Sequence, residues 1–153
     1  MQRSSRRDRM THVYVELQKD EHGYPPYEIE EIDAAPLGSG RFRIDAIPVF
    51  VYGLAKGDVV KGVRVIGEDD RIWVSEVLEP GGHWTARILP VDAATLDETA
   101  DRFTKIGCHA YSTRFGLVAV DVPPKTSAQL VMEVLEAGRS TGEWDFDLGV
   151  APS

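Results

Sequence analysis

The sequence predicts an α+β protein in two parts: an N-terminal small β-barrel or bent antiparallel sheet, followed by a ferredoxin-like βαββαβ unit. Three observations predict it. Residues 11 to 79 hold five or six short apolar or alternating runs, separated by Gly, Pro and Asp, with no helical periodicity between them. From residue 84 onward, strand-like runs are interleaved with two segments whose apolar residues recur at helical spacing. The 153 residues, 42% hydrophobic and 27% charged, have the composition of a globular domain. The boundaries that follow are a disordered basic leader at 1–10, a β-rich sub-domain at 11–82 and a ferredoxin-like α+β sub-domain at 83–150.

"THVYVELQ" sets Val13, Val15 and Leu17 against Tyr14, Glu16 and Gln18, the period of a half-buried strand. "KDEHGYPP" ends it. "YEIEEIDAAP" and "RFRIDAIP" read as two strands joined through "LGSG", and the doublet Glu30-Glu31 predicts a bulge in the first. In "IPVFVYGLAKGDVV" the nine residues Ile47 to Ala55 fall far short of the roughly 20 that a membrane helix needs. The stretch also lacks the glycine spacing of a phosphate loop. It therefore predicts a buried strand, a tight turn and a second strand, and "GLAKGDVVKGVRVI" resembles the Leu-x-x-Gly-Asp-x-Val corner of several small β-barrels, in which Asp58 would bond backbone amides. "RIWVSEVL" supplies one more strand after the turn at "GEDD".

In the second half "WTARILPV" reads as a strand. "TLDETADRFTKIG" reads as a helix with Leu96, Ala100, Phe103 and Ile106 on one face, a Thr95–Glu98 capping box and Gly107 as its stop. "CHAYSTRFGLVAVDVPP" predicts two strands about a turn at Arg114 to Gly116. "TSAQLVMEVLEAG" predicts a helix capped by Thr126 with Gln129, burying Leu130, Val131, Val134 and Leu135. "EWDFDLG" closes the order, with Asp145 and Asp147 on its wet side.

Charge narrows the functional classes. The formal charge is −8 at pH 7, and because the first ten residues hold four Arg against one Asp, residues 11–153 carry −11. Such a body repels phosphate backbones, which disfavours nucleic acid, and attracts basic proteins. No apolar run follows the basic leader, so neither a secretory signal nor a membrane anchor is predicted. Cys108 is the single cysteine, which rules out an internal disulfide and suits a reducing cytoplasm.

The segments "GYPPYEIEEIDAAPLGSGRFRIDAIPVFVYGLAKGDVV", "GCHAY", "VAVDVPP" and "GEWDFDLG" resemble the bacterial domain-of-unknown-function family 4265 over nearly the whole chain after residue 11. The family's terminal segment has the form Trp-x-Tyr-Glu-x-Gly. Here Trp144 and Gly149 keep that form, whereas Phe146 and Asp147 depart from it, so any role of the tyrosine hydroxyl is lost. The resemblance implies a bacterial protein and brings no catalytic residue with it.

Candidate chemistry is sparse. Cys108 is the available nucleophile, yet His109, as its strand neighbour, points to the opposite face, and a thiol just after a helix C-terminus is not activated by the helix dipole. His12, His22, His83 and His109 show no HxH, HxxxH or HExxH spacing. Glu98 and Arg102 are placed to pair one turn apart. "RFGLVAV" sits where the third strand of an RNA-recognition fold carries its signature, but Leu117 and Val120 stand where aromatics would stack. Trp73, Trp84 and Trp144 read as packing residues. The expectation is a non-catalytic bacterial binding protein that docks a protein partner, basic in character, in the manner of immunity or antitoxin proteins. Its docking acids would be Asp97, Glu98, Asp101, Glu133 and Glu136, with no catalytic residue, cofactor or metal. Two rival expectations are a small-molecule sensor with a pocket between the sub-domains and an enzyme using Cys108.

Overall fold

The computed structural model describes residues 10–68 and 70–153, and the chain divides between Gly81 and Gly82 into two compact units. The predicted leader lies outside the described residues except for Met10. The protein is α+β, mostly antiparallel sheet with two helices.

In the first unit the strands are β1 (Thr11–Glu16), β2 (Ile29–Gly38), β3 (Arg41–Ile44), β4 (Val59–Val63) and β5 (Trp73–Glu79). Each pairs antiparallel with the next, and a parallel step from β5 back to β1 closes them into a ring. That step places Tyr14 opposite Trp73, with Tyr14 N–H donating to the Ile72 carbonyl at 2.9 Å. The inward residues of the alternation, Val13, Ile32, Ala34, Ile44, Val60 and Ile72, form the unit's core together with Leu54. The β2–β3 turn uses Ser39 and Gly40 at φ 58° and 75°, the left-handed pair that suits the twist of a two-residue hairpin.

The bulge expected at Glu30-Glu31 does not form. Pairing with β1 runs without a break from Ile29 to Ala34, and the irregularity falls between Pro36 and Gly38, where proline supplies no N–H to the ladder. Glu30 has another task. Its carboxylate accepts from the backbone N–H groups of Val49 (2.5 Å), Phe50 (2.9 Å) and Val51 (3.0 Å). This accounts for a second correction, since the run from Ile47 to Ala55 is an irregular loop, not a strand. Pro48 has no donor, and the next three donors turn toward one carboxylate instead of a neighbouring strand. The loop still buries Val49, Phe50, Leu54 and Ala55. The corner after it follows the sequence expectation: Gly57 takes φ 92°, and buried Asp58 accepts from Ala55 N–H at 3.0 Å and Gly81 N–H at 2.8 Å.

The second unit runs β6 (Trp84–Pro90), α1 (Leu96–Thr104), β7 (His109–Ser112), β8 (Val118–Val122), α2 (Ala128–Ser140), β9 (Trp144–Val150). Its sheet has the order β7-β8-β6-β9, with every neighbouring pair antiparallel. Ala100 and Phe103 of α1 and Val131 and Leu135 of α2 share one core with Trp84, Ala86, Ile88, Val118, Val120 and Val122, so both helices cover the same face of the sheet. Gly138 allows α2 to close on β9, because a Cβ there would lie 2.1 Å from Trp144 Cε2. The Trp144 indole N–H then donates to the Leu135 carbonyl at 3.0 Å.

Three details of the helices differ from expectation. The Thr95–Glu98 capping box is absent: a 3-10 turn, Ala93–Thr95, precedes α1, and Asp92 caps that turn by accepting from Ala94 N–H at 3.0 Å. Ser127 rather than Thr126 caps α2, accepting from Leu130 N–H at 3.1 Å, while the Thr126 hydroxyl donates to the Gly107 carbonyl at 2.7 Å and ties the end of α1 to the start of α2. Leu130 is exposed, because the helix turns Val131 and Leu135, four residues apart, into the core.

The grip of Glu30 on the 49–51 loop is testable. Glu30→Ala should lower the unfolding free energy by roughly 1.5–3 kcal/mol, the scale of hydrogen bonds to a charged group. It should also speed amide exchange at Phe50 and Val51; unchanged exchange at both would contradict the assignment.

Candidate functional site

The sheet of the second unit separates two chemistries. Successive residues of a strand point to opposite faces, so the pleat sends Cys108 into the helix-covered core, 3% exposed, and leaves the neighbouring His109 exposed. Burial first, and the nearby Asp121 charge second, push the Cys108 thiol up from 9.0 to about 11. Neither effect favours the thiolate that a nucleophile would need.

On the other face, away from the helices, Asp121 sits on β8 between cross-strand neighbours His109 on β7 and Thr85 on β6. Its side chain is fully buried. The His83 Nδ1 lies 2.9 Å and 3.1 Å from its two oxygens, and the His109 Nδ1 lies 3.3 Å from Oδ2. A neutral imidazole that donates from Nδ1 to this carboxylate keeps Nε2 as its acceptor, so Asp121 orients both rings. Nearby, buried Arg87 lies over Gly149, where an added Cβ would come within 2.8 Å of Nη2. Sequence reading missed this cluster because the two histidines lie far apart in the chain. A signal was present in "VAVDV", where one carboxylate interrupts a valine strand and must find partners once buried. Among the described residues, no group of three or more His, Cys, Asp or Glu side chains is placed to hold a metal ion.

On the helix side, Asp97, Glu98, Asp101, Glu133 and Glu136 are all exposed. Asp97 and Glu98 occupy the first turn of α1, where the helix dipole favours negative charge. Three of the five have neighbours: Asp97 accepts from the Ser112 hydroxyl at 2.5 Å, Glu133 from Gln129 at 3.3 Å and Glu136 from Arg139 at 3.4 Å. The expected Glu98–Arg102 pair is replaced, since Arg102 reaches Glu143 at 2.8 Å and lies over the Trp144 ring, 4.8 Å from its centre. Glu98 and Asp101 thus carry side chains without a bonded partner among the described residues. Glu98 stands at the edge of a hollow of about 250 Å³ whose wall includes Val91, Thr99 and Trp144.

The RNA-recognition comparison finds little support in the geometry. Val118 and Val120 are buried in the helix-facing core, and the Arg114 guanidinium stacks on the adjacent Phe115 at 4.7 Å. Trp84 and Trp144 are buried packing residues, and Trp73 packs beside Tyr14 with ring centres 6.0 Å apart. No helix among the described residues is long and apolar enough to cross a membrane.

The raised Cys108 pKa has a signed consequence. Below pH 9 the thiol is protonated in both folded and unfolded chains; between 9 and about 11 the unfolded chain loses that proton while the folded chain keeps it, so this contribution to stability is lost as pH rises through the window. The stability difference between wild type and Cys108→Ala should therefore be constant up to pH 9 and decline above it in denaturation measurements. Parallel curves from pH 8 to 11 would contradict the burial of the thiol.

Two similarities place the chain among known proteins. The family described as Domain of unknown function (DUF4265) matches residues 30–146. A solved structure of a hypothetical protein from Neisseria gonorrhoeae has a TM-score of 0.72 at 17% identity, covering 94% of this chain and 97% of that one, which shows a shared fold. A search among curated proteins finds no match.

Proposed function

The chain belongs to the DUF4265 family, and from that premise we propose that it is a non-catalytic bacterial binding protein that docks a basic protein partner through the acidic outer side of α1 and α2, as immunity and antitoxin proteins do. The observation that supports this reading most is that both helices cover one face of the sheet, so their outward sides lie on the same side of the unit, and that Asp97, Glu98, Asp101, Glu133 and Glu136 are all exposed. Arg102 is held by Glu143, outside the set, and Arg139 is shared between Asp145 and Glu136, so Glu136 alone of the five meets an arginine among the described residues. The −11 charge of residues 11–153 would draw a basic partner toward this side. The single cysteine supports a cytoplasmic setting.

For the architecture we read the first unit as a small β-barrel and the second as ferredoxin-like. The closed ring order supports the first. The βαββαβ sequence, the β7-β8-β6-β9 sheet and the shared helix face support the second.

Capture from the host lysate tests the docking reading. Wild type and a Glu76→Lys control on β5 should retain the same partner, whereas Glu133→Lys/Glu136→Lys and Glu98→Lys/Asp101→Lys should each lose most of it. Equal recovery by all four proteins would contradict the proposal.

A further inference from the structure

We infer that Arg139 and Asp145 close the outer edge of β9 against strand pairing with a second copy of this chain. The inference is independent of the docking reading, because it concerns the rim of the sheet and not the acids of the helices. β9 ends its sheet, with β6 on its inner side, and its seven residues make it the longer of the two edges, β7 having four. An open edge of that length is a template for another strand.

The direction of the outward groups follows from the ladder. The Glu143 carbonyl accepts from Val91 N–H at 3.0 Å, so residues 143, 145 and 147 turn their backbone groups toward β6, whereas Trp144 and Phe146 turn theirs outward. At Phe146 side chains already take both outward groups. Its N–H donates to Asp145 Oδ1 at 2.8 Å, and its carbonyl accepts from Arg139 Nη2 at 2.8 Å. Arg139 comes from the last turn of α2, lies 3.8 Å from the centre of the Phe146 ring and reaches Asp145 Oδ1 with Nε at 3.3 Å. The ring belongs to the helix-side core and Asp145 to the opposite face, so the guanidinium spans the edge from one face to the other.

Charge adds a second obstacle. Antiparallel self-pairing must match outward groups with outward groups, so Phe146 of one copy meets Phe146, Trp144 or Leu148 of the other. The first register sets Asp145 against Asp147, the second Asp145 against Asp145 and the third Asp147 against Asp147. Like charges directly opposite are destabilising. A pairing that displaced Arg139 would therefore meet acid against acid in all three registers.

Sedimentation velocity of the full chain across concentration tests this. Arg139→Ala/Asp145→Val frees both Phe146 groups and removes the acid clash in the first two registers. It also leaves the net charge at −8, so general repulsion between copies is unchanged. This variant should self-associate about tenfold or more tightly than wild type, with slower amide exchange at Phe146 in the associated form. Arg41→Ala/Glu79→Val removes a 2.7 Å ion pair from the closed ring of the first unit, again at constant charge, and should associate no more than wild type. Asp145 is 82% exposed, so Asp145→Val alone, which should also associate more tightly than wild type, decides the matter if the double variant fails to fold. Association of the β9 variants no tighter than wild type would overturn the inference. Equal tightening in the Arg41/Glu79 variant, or a Phe146 amide left unprotected in the assembly, would overturn it as well.

Discussion

The packing of α1 and α2 on Val118, Val120 and Val122 is the interaction on which the second unit depends. The three valines are fully buried, as are Val131 and Leu135 from α2 and Phe103 from α1. Burying apolar area is the main favourable term in folding, and this cluster lies on the helix-covered side of the sheet. Two consequences follow from the alternation of the strands. Cys108 goes into the core while His109 goes out, so adjacent residues that could react are separated by the sheet. The polar sides of both helices face outward on one side of the unit, and that is where the acids gather.

The chain uses its abundant carboxylates in two ways. Glu30 collects three backbone amides, Asp58 collects two and Asp121 orients two imidazoles. Each serves as an internal pin in a place where the chain offers donors and no regular ladder or second side chain to take them. Glu98 and Asp101 differ, since they are exposed and their charge is directed at solvent. Proteins rich in acid are often described by net charge alone. Here the more informative division is between carboxylates that pin backbone amides or imidazoles inside the fold and carboxylates exposed on the helix side.

Much of the fold was legible because it is written in short-range periodicity. The alternation of "THVYVELQ", the helical spacing of Ala100 and Phe103 or Val131 and Leu135, and the glycines at 40, 57 and 107 each fix local geometry without reference to distant residues. Failures occurred where a distant partner decided the outcome. Ile47 to Ala55 has the composition of a strand, but Glu30, about twenty positions earlier, takes its amides. Asp92 outcompeted Thr95 as a cap, and Glu143 outcompeted Glu98 for Arg102, through contacts that no i,i+4 rule contains. The exposure of the five helix acids followed from the pattern. The meeting of His83, His109 and Asp121 did not, because strand register, and not spacing along the chain, brings them together.

We propose that surface carboxylates on the helix side steer a basic partner into place. Stopped-flow association of the purified complex across ionic strength measures that most directly. The association rate should fall steeply as salt is added while dissociation changes little, because screening removes long-range attraction before it loosens packed contacts. An association rate indifferent to salt would contradict it.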